Sequence, residues 1–288
     1  MTAQLHHPFP ARRYLPYLTG PDIAALPKEN AAVVLAVGSV EQHGPHLPTI
    51  TDSLVGQTVL GQALERLDPS AQVWAIPPLT YGKSNEHRVF PGTIPLSATT
   101  MAAVIGDVAR ALARSGFRRL VLLNSHGGNP QVLDAIARDL HEETGLMLFH
   151  ISVFRLGLPP AESIRDAETI WGMHAGDTET SSVLAVAPEL VHMERTAHLG
   201  DYPRLPDGLE LVGAQGPNGP IGFAWLASDL SETGVLGDPR QASAEKGAAR
   251  IAATVDRLAR AVAEIAHFEM PTPARALPVV ATDGVRRG

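Results

Sequence analysis

Ala31-Ala32-Val33-Val34-Leu35-Ala36-Val37-Gly38-Ser39-Val40-Glu41-Gln42-His43-Gly44-Pro45-His46-Leu47-Pro48 passes from an unbroken apolar run into a loop carrying one carboxylate and two imidazoles. The run is too short to cross a membrane and reads as a buried strand. Thr51-Asp52 follow at the start of an expected helix, so one strand delivers Glu41, His43 and Asp52 into one neighbourhood. Single acidic or imidazole residues in loops are ordinarily solvated or capping. This grouping, on a path fixed by glycine and proline, reads instead as a metal site.

Further strands are expected at Val73 to Pro77, Leu120 to Leu123 and Leu146 to Val153, beside the first at Val33 to Val37. Helices separate them. The clearest places Met101, Val104, Ile105, Val108 and Leu112 on one face, after the capping candidates Ser97 and Thr99 and before Ser115-Gly116. Strands alternating with helices predict an α/β fold, three layers of α/β/α with a mostly parallel central sheet, whose active site lies at the carboxyl ends of the strands. Leu122-Leu123-Asn124-Ser125-His126-Gly127-Gly128-Asn129-Pro130 reaches that same edge: a strand, a glycine pair and a helix with Pro130 in its first turn.

Phe154 to Ile170 is mixed in character. Trp171-Gly172-Met173-His174-Ala175-Gly176-Asp177-Thr178-Glu179-Thr180-Ser181 then precedes an expected helix from Ser182 to Val186, for which Asp177 and Thr178 are candidate caps. Thr196 to Arg240 is glycine- and proline-rich and reads as a long irregular segment bordering a site or a partner subunit. Ile251, Val255, Leu258, Val262 and Ile265 form the stripe of a final packing helix. Residues 1–270 read as a single domain, and Pro271 to Gly288 as a tail loosely held or docked on a neighbour.

Apolar residues are 44% of the 288 and charged residues 18%, an ordinary globular composition. The net charge of -7 gives no reason to expect nucleic acid. Having no cysteine, the chain has no disulfide, thiolate ligand or cysteine nucleophile, which leaves histidine and carboxylate as metal ligands. Met1 to Tyr17 has no apolar h-region, so a cytoplasmic protein without a membrane anchor is expected.

Glu41, His43, Asp52, His126 and Glu179 together supply two imidazoles and three carboxylates, enough for two divalent ions. Asp52, short and at a helix start, is the natural bridge. Mixed nitrogen and oxygen donors suit zinc, manganese or iron better than calcium. Hydroxide held between two ions is a nucleophile for a carbonyl carbon, and His174 is the candidate proton donor for the leaving group. His174 has other readings: a ligand in place of Glu179, or a buried hydrogen-bonded histidine. His46 is either a partner behind the ligands or a loop stabiliser. The histidines at 6, 7, 141, 192, 198 and 267 read as surface or core residues. Glu86 and His87, in Tyr81 to His87 before Phe90-Pro91-Gly92-Thr93, are either substrate contacts or part of a charged loop with no binding role.

The Gly38 to Pro48 loop with Asp52, Glu86-His87 with Phe90 to Thr93, Asn124 to Asn129, His174-Ala175-Gly176 with Glu179-Thr180-Ser181, and Gly234-Val235-Leu236-Gly237-Asp238-Pro239 together resemble the creatininase family, the creatinine amidohydrolases. The resemblance implies a binuclear centre of zinc or manganese, with iron in relatives. It also implies hydrolysis of carbon–nitrogen bonds in small cyclic or linear amides, and a homo-oligomer, commonly a hexamer. Carried over by motif, Glu41, His43, Asp52 and His126 are metal ligands, and His174 matches the catalytic histidine. Creatininase proper resembles a different pattern after the residue matching His126, a tyrosine and a metal-binding glutamate where this chain has Gly127-Gly128; Glu179 is the expected replacement. Family members with the glycine pair are similar to formamide hydrolases, to a peptidase of a redox-cofactor precursor and to a hydrolase of a cyclic inosose. A small amide is therefore the first expectation, a peptidase or ring-opening hydrolase the second, and an inactive metal-binding assembly protein the third.

Overall fold

The structure, a computed structural model, describes residues 9–156, 171–196, 199–200, 202, 205–209, 211–213 and 221–271. His6, His7, His198, residues 157–170 and all but the first residue of the expected tail lie outside the described residues.

β1 (Ala31–Val37), β2 (Gln72–Ala75), β3 (Arg119–Asn124) and β4 (Met147–Ser152) form one parallel sheet in the order β2-β1-β3-β4. Among the described residues the α-helices are α1 (Gly20–Ala25), α2 (Thr51–Arg66), α3 (Ala98–Arg114), α4 (Pro130–Thr144), α5 (Val153–Leu156), α6 (Asp177–Val186), α7 (Ala227–Leu230) and α8 (Ala244–Ala266). Every residue of β1 and β3 is buried because helices cover both faces, which is why these strands are apolar without alternation.

The two faces divide by parity. Ala32, Val34 and Ala36 of β1, with Val121 and Leu123 of β3, meet Val59 and Leu64 of α2, Val183 of α6 and Val255, Leu258 and Val262 of α8. Leu35 and Val37, with Leu120 and Leu122, meet Met101 and Ile105 of α3 and Leu133 and Leu140 of α4. These are the three expected layers. Each fully buried aliphatic side chain contributes about 1.5–3 kcal/mol relative to exposure, so the central strand pair carries much of the fold.

The register decides where the site lies. Val33 is level with Leu120 and Val37 with Asn124, so the loops after β1 and β3 leave side by side. From β1 the chain crosses to β2 on one side, and from β3 to β4 on the other. Such a point of divergence opens a crevice at the carboxyl ends of the strands.

Several elements differ locally from expectation. β2 ends at Ala75 and β4 at Ser152, where Val153 begins α5. In α3 Ser97 caps by accepting from the Thr100 amide at 3.0 Å, while Thr99 is already helical and Val104 is 38% exposed, off the buried stripe. α6 starts at Asp177, not Ser182. Its N-cap is Gly176, with no side-chain cap, and the Asp177 carboxylate instead meets Lys246 Nζ at 3.2 Å. The helix begins early because Glu179 closes its first turn on the Ala175 amide, 2.6 Å away. Within 196–240 the described residues include α7, a single helical turn in the expected irregular stretch.

Candidate metal centre

Glu41 and His43 lie in the loop after β1, Asp52 in the first turn of α2, His126 in the turn after β3, and Glu179 in the first turn of α6. A helix start favours a carboxylate, which suits Asp52 and Glu179 alike. All five expected ligands meet. Asp52 is the centre: Oδ1 lies 3.5 Å from His43 Nε2, and Oδ2 3.0 Å from His126 Nδ1. Glu41 Oε1 is 3.3 Å from His126 Nδ1, and Glu179 Oε2 is 3.7 Å from His43 Nε2. Glu41–Asp52–His126 and His43–His174–Glu179 each place three ligand atoms within 4.8 Å of one another.

The imidazoles are oriented from behind. His43 Nδ1 donates to the Glu41 carbonyl at 3.0 Å, and His126 Nε2 to the Lys83 carbonyl at 3.0 Å. Each thus turns its other nitrogen, with its lone pair, toward Asp52, as metal-binding histidines do. Ser39 Oγ donates to Asp52 Oδ2 at 2.6 Å. The turn of His126 is framed by Asn124, which accepts from the His126 amide at 3.1 Å, and by Asn129, which donates to Asn124 Oδ1 at 3.0 Å.

The donor set fits divalent cations. His43 Nε2 and Glu41 Oε2 are fully buried with no hydrogen-bond partner, an arrangement that costs free energy unless a cation completes it. Protons take that role in the metal-free chain. Burial opposes charge on His43, yet Asp52, Glu179 and Glu41 beside it raise its pKa to about 9. Burial likewise opposes charge on His126, and Glu41 and Asp52 hold it well above the usual histidine range. Burial raises Glu41, and it raises Glu179 to about 7 with help from Asp52 and Glu41. Asp52 is the exception: burial would raise it, but His43 and His126 hold it well below the ordinary carboxylate range.

His174 enters on an isolated bridge with Leu236, whose amide donates to the His174 carbonyl at 2.9 Å. Its Nε2 donates to the Gln42 carbonyl at 2.6 Å, leaving Nδ1 as an acceptor 3.5 Å from Glu41 Oε1. Burial, with His87 and His43 nearby, keeps this ring neutral by lowering its pKa well below the usual value. His46 is buried, and its Nε2 meets Thr180 Oγ1 at 3.0 Å, tying the Glu41 loop to the helix of Glu179.

Glu86 and His87 both reach the centre's edge. Glu86 Oε1 is 3.7 Å from His126 Nε2; His87 is buried, its ring stacked on His174 at 4.1 Å. His141, His192 and His267 are exposed. Sequence reading missed Ser39, Gln42, Asn124 and Asn129. Their signal was position, beside expected ligands within the same motifs, but their partners are distant in sequence.

A family model described as creatinine amidohydrolase matches residues 16–262. The mycofactocin precursor peptide peptidase of Mycobacterium tuberculosis (strain ATCC 25618 / H37Rv) is 36% identical over 250 residues, covering 83% of this chain and 87% of that protein. The creatinine amidohydrolase of Pseudomonas putida is 32% identical over 194 residues, 60% of this chain and 70% of that one. A solved structure titled as the manganese form of creatininase superposes with a TM-score of 0.68 at 26% identity, covering 88% of this chain and 98% of that one.

Proposed function

The chain belongs to the creatinine amidohydrolase, or creatininase, family, and from that membership we propose that it is a two-metal hydrolase of a carbon–nitrogen amide bond in a peptide. The observation carrying the metal reading is Asp52, whose two oxygens each face an imidazole nitrogen that is not committed to a backbone carbonyl. Glu41, Asp52 and His126 would hold one ion, and His43, Asp52 and Glu179 the other. Zinc or manganese suits these donors, with iron next. When bound, two such ions polarise a carbonyl and lower the pKa of a shared water.

The chain's own residues supply the proton path. Because His174 Nε2 is committed to the Gln42 carbonyl, proton traffic runs through Nδ1. That nitrogen takes the proton as the new carbon–oxygen bond forms, and returns it to the nitrogen as the carbon–nitrogen bond breaks. A neutral ring is the form able to accept.

Peptide is placed ahead of creatinine or another small amide for two reasons. Relatives named as peptide peptidases cover more of the chain than does the creatinine amidohydrolase. The glycine pair is the second. A Cβ at Gly128 would come 2.2 Å from Glu86 Oε1 and 2.3 Å from the Lys83 carbonyl, so no glutamate fits there and Glu179 supplies the carboxylate. A Cβ at Gly127 would meet nothing within 4 Å, leaving room beside His126 for an extended chain. The test is metal analysis of protein purified without chelators, followed by peptides, creatinine, formamides and lactams offered to zinc- and manganese-loaded enzyme. About two ions per chain and peptide hydrolysis are expected. Well under one ion per chain defeats the metal reading, and turnover of creatinine in preference to every peptide defeats the substrate.

A further inference from the structure

A third group, Glu41–His87–His174, also places three ligand atoms within 4.8 Å and has the outward form of another metal position. The hydrogen bonds around Gln42 exclude it. Gln42 Oε1 accepts from the Gly44 amide at 2.8 Å, and Gln42 Nε2 donates to the Gly234 carbonyl at 3.0 Å. Turning the amide over would set oxygen against oxygen and hydrogen against hydrogen, so its orientation is fixed. The same Nε2 lies 2.8 Å from His87 Nδ1. A donor facing that nitrogen leaves no room for a proton on it, so His87 Nδ1 is an acceptor and the ring hydrogen is on Nε2. His87 Nε2 lies 3.6 Å from Glu41 Oε1. It has no lone pair to offer a cation.

Gln42 acts on a second ring through its main chain, since its carbonyl accepts from His174 Nε2. Its own amide is anchored by donation to Thr93 Oγ1 at 3.0 Å. One residue therefore sets the hydrogen positions of two stacked imidazoles in opposite senses: His174 offers an acceptor, Nδ1, and His87 a donor, Nε2–H. The seat is built for it. Gly234 has φ +78°, and a Cβ there would come 2.4 Å from Gln42 Oε1, so a side chain at 234 would expel the amide.

We propose that Gln42 is a positioning residue that keeps the ring hydrogen of His87 on Nε2, the nitrogen facing Glu41, so that His87 supports a metal ligand without being one. The proposal rests on the two-metal reading for the identity of the ligand it supports, but the tautomer test does not. In protein labelled with ¹⁵N-histidine, with the His87 signals assigned by their loss in His87→Ala, the ring should show a protonated Nε2 and an unprotonated Nδ1, with and without zinc. Gln42→Glu keeps an acceptor for the Gly44 amide but turns an oxygen toward His87 Nδ1, and should move the hydrogen to Nδ1. His87→Ala should keep the wild-type number of ions per chain while weakening their affinity roughly 10–100-fold. A zinc-shifted Nε2 in the wild type, loss of an ion in His87→Ala, or an unchanged tautomer in Gln42→Glu would each overturn it. Where Gln42→Glu does not fold, the wild-type tautomer and the ion count of His87→Ala decide. Failure of the two-metal reading shows separately, as protein that binds no zinc whatever the tautomer.

Discussion

At the scale of the residue, Asp52 and His174 separate metal binding from proton transfer. Asp52→Ala removes both halves of the bridge and His126→Ala one of its partners, so both should lose metal and turnover together, by metal analysis beside steady-state kinetics. His174→Ala should keep the metal and lose roughly 10²–10⁴-fold in kcat; loss of metal in that variant would make His174 a ligand. The titrations give a second expectation. His43 has its pKa raised to about 9 and Glu179 to about 7 in the metal-free chain, both above their ordinary values of 6.5 and 4.5. For each the protonated form is favoured by folding, so its stabilisation is complete below the ordinary value and is lost as pH rises through the folded one. A metal must displace those protons. Apparent zinc affinity should therefore climb between about pH 7 and pH 9, by up to about tenfold per unit for each proton displaced, in competition titrations. A flat profile would mean that the ion does not displace the His43 proton.

At the scale of the element, Glu179 depends on how closely α6 lies against α8. Gly247 of α8 makes that approach possible: a Cβ there would stand 1.8 Å from the Ser181 carbonyl. Gly247→Val should force the helices apart, costing about 1–3 kcal/mol or more by denaturant unfolding, and should lower occupancy of the His43 side before that of the Glu41 side. Equal loss at both positions would show that α6 is not held by this contact. The elements themselves were legible where period and length agreed: β1 and β3 as unbroken apolar runs, α8 as an apolar stripe. α6 was not. Its first turn, Asp177 to Glu179, is acidic and reads as loop, and it is helical because Glu179 bonds back to Ala175 and Thr180 is buried against His46. Val104 failed for the opposite reason: it satisfies the helical spacing, but the layer beneath α3 does not extend to it.

At the scale of the whole molecule, a buried cluster of three carboxylates and two imidazoles couples metal to folding. Stripping metal with a chelator should lower the melting temperature, and restoring free zinc at a hundred times its Kd should return about 2.7 kcal/mol of stability, read by calorimetry. An unaltered melting point would separate the site from the fold. We propose that the chain forms the homo-oligomer that its family resemblance implies, for which Val89, Ile94, Leu211, Val212, Ile221 and Leu226 offer exposed apolar side chains, and light scattering behind size exclusion should show a mass several times 30.5 kDa. A monomer at micromolar concentration would end that proposal. No helix among the described residues is long and apolar enough to cross a membrane. The sequence by itself determined the layer class and the strands beside the site, and it singled out Glu41, His43, Asp52, His126, His174 and Glu179 as candidates that the fold brings together, because apolar period and ligand chemistry are local properties of the chain. Only the tertiary structure decided which nitrogen of each imidazole faces Asp52, that Glu179 stands beside His43 while Glu86 and the Lys83 carbonyl crowd Gly128, and that Gln42 touches the rings of both His87 and His174. Those facts depend on hydrogen bonds between residues up to 192 positions apart, and such pairings exist only once the parallel strands have set the register between their loops.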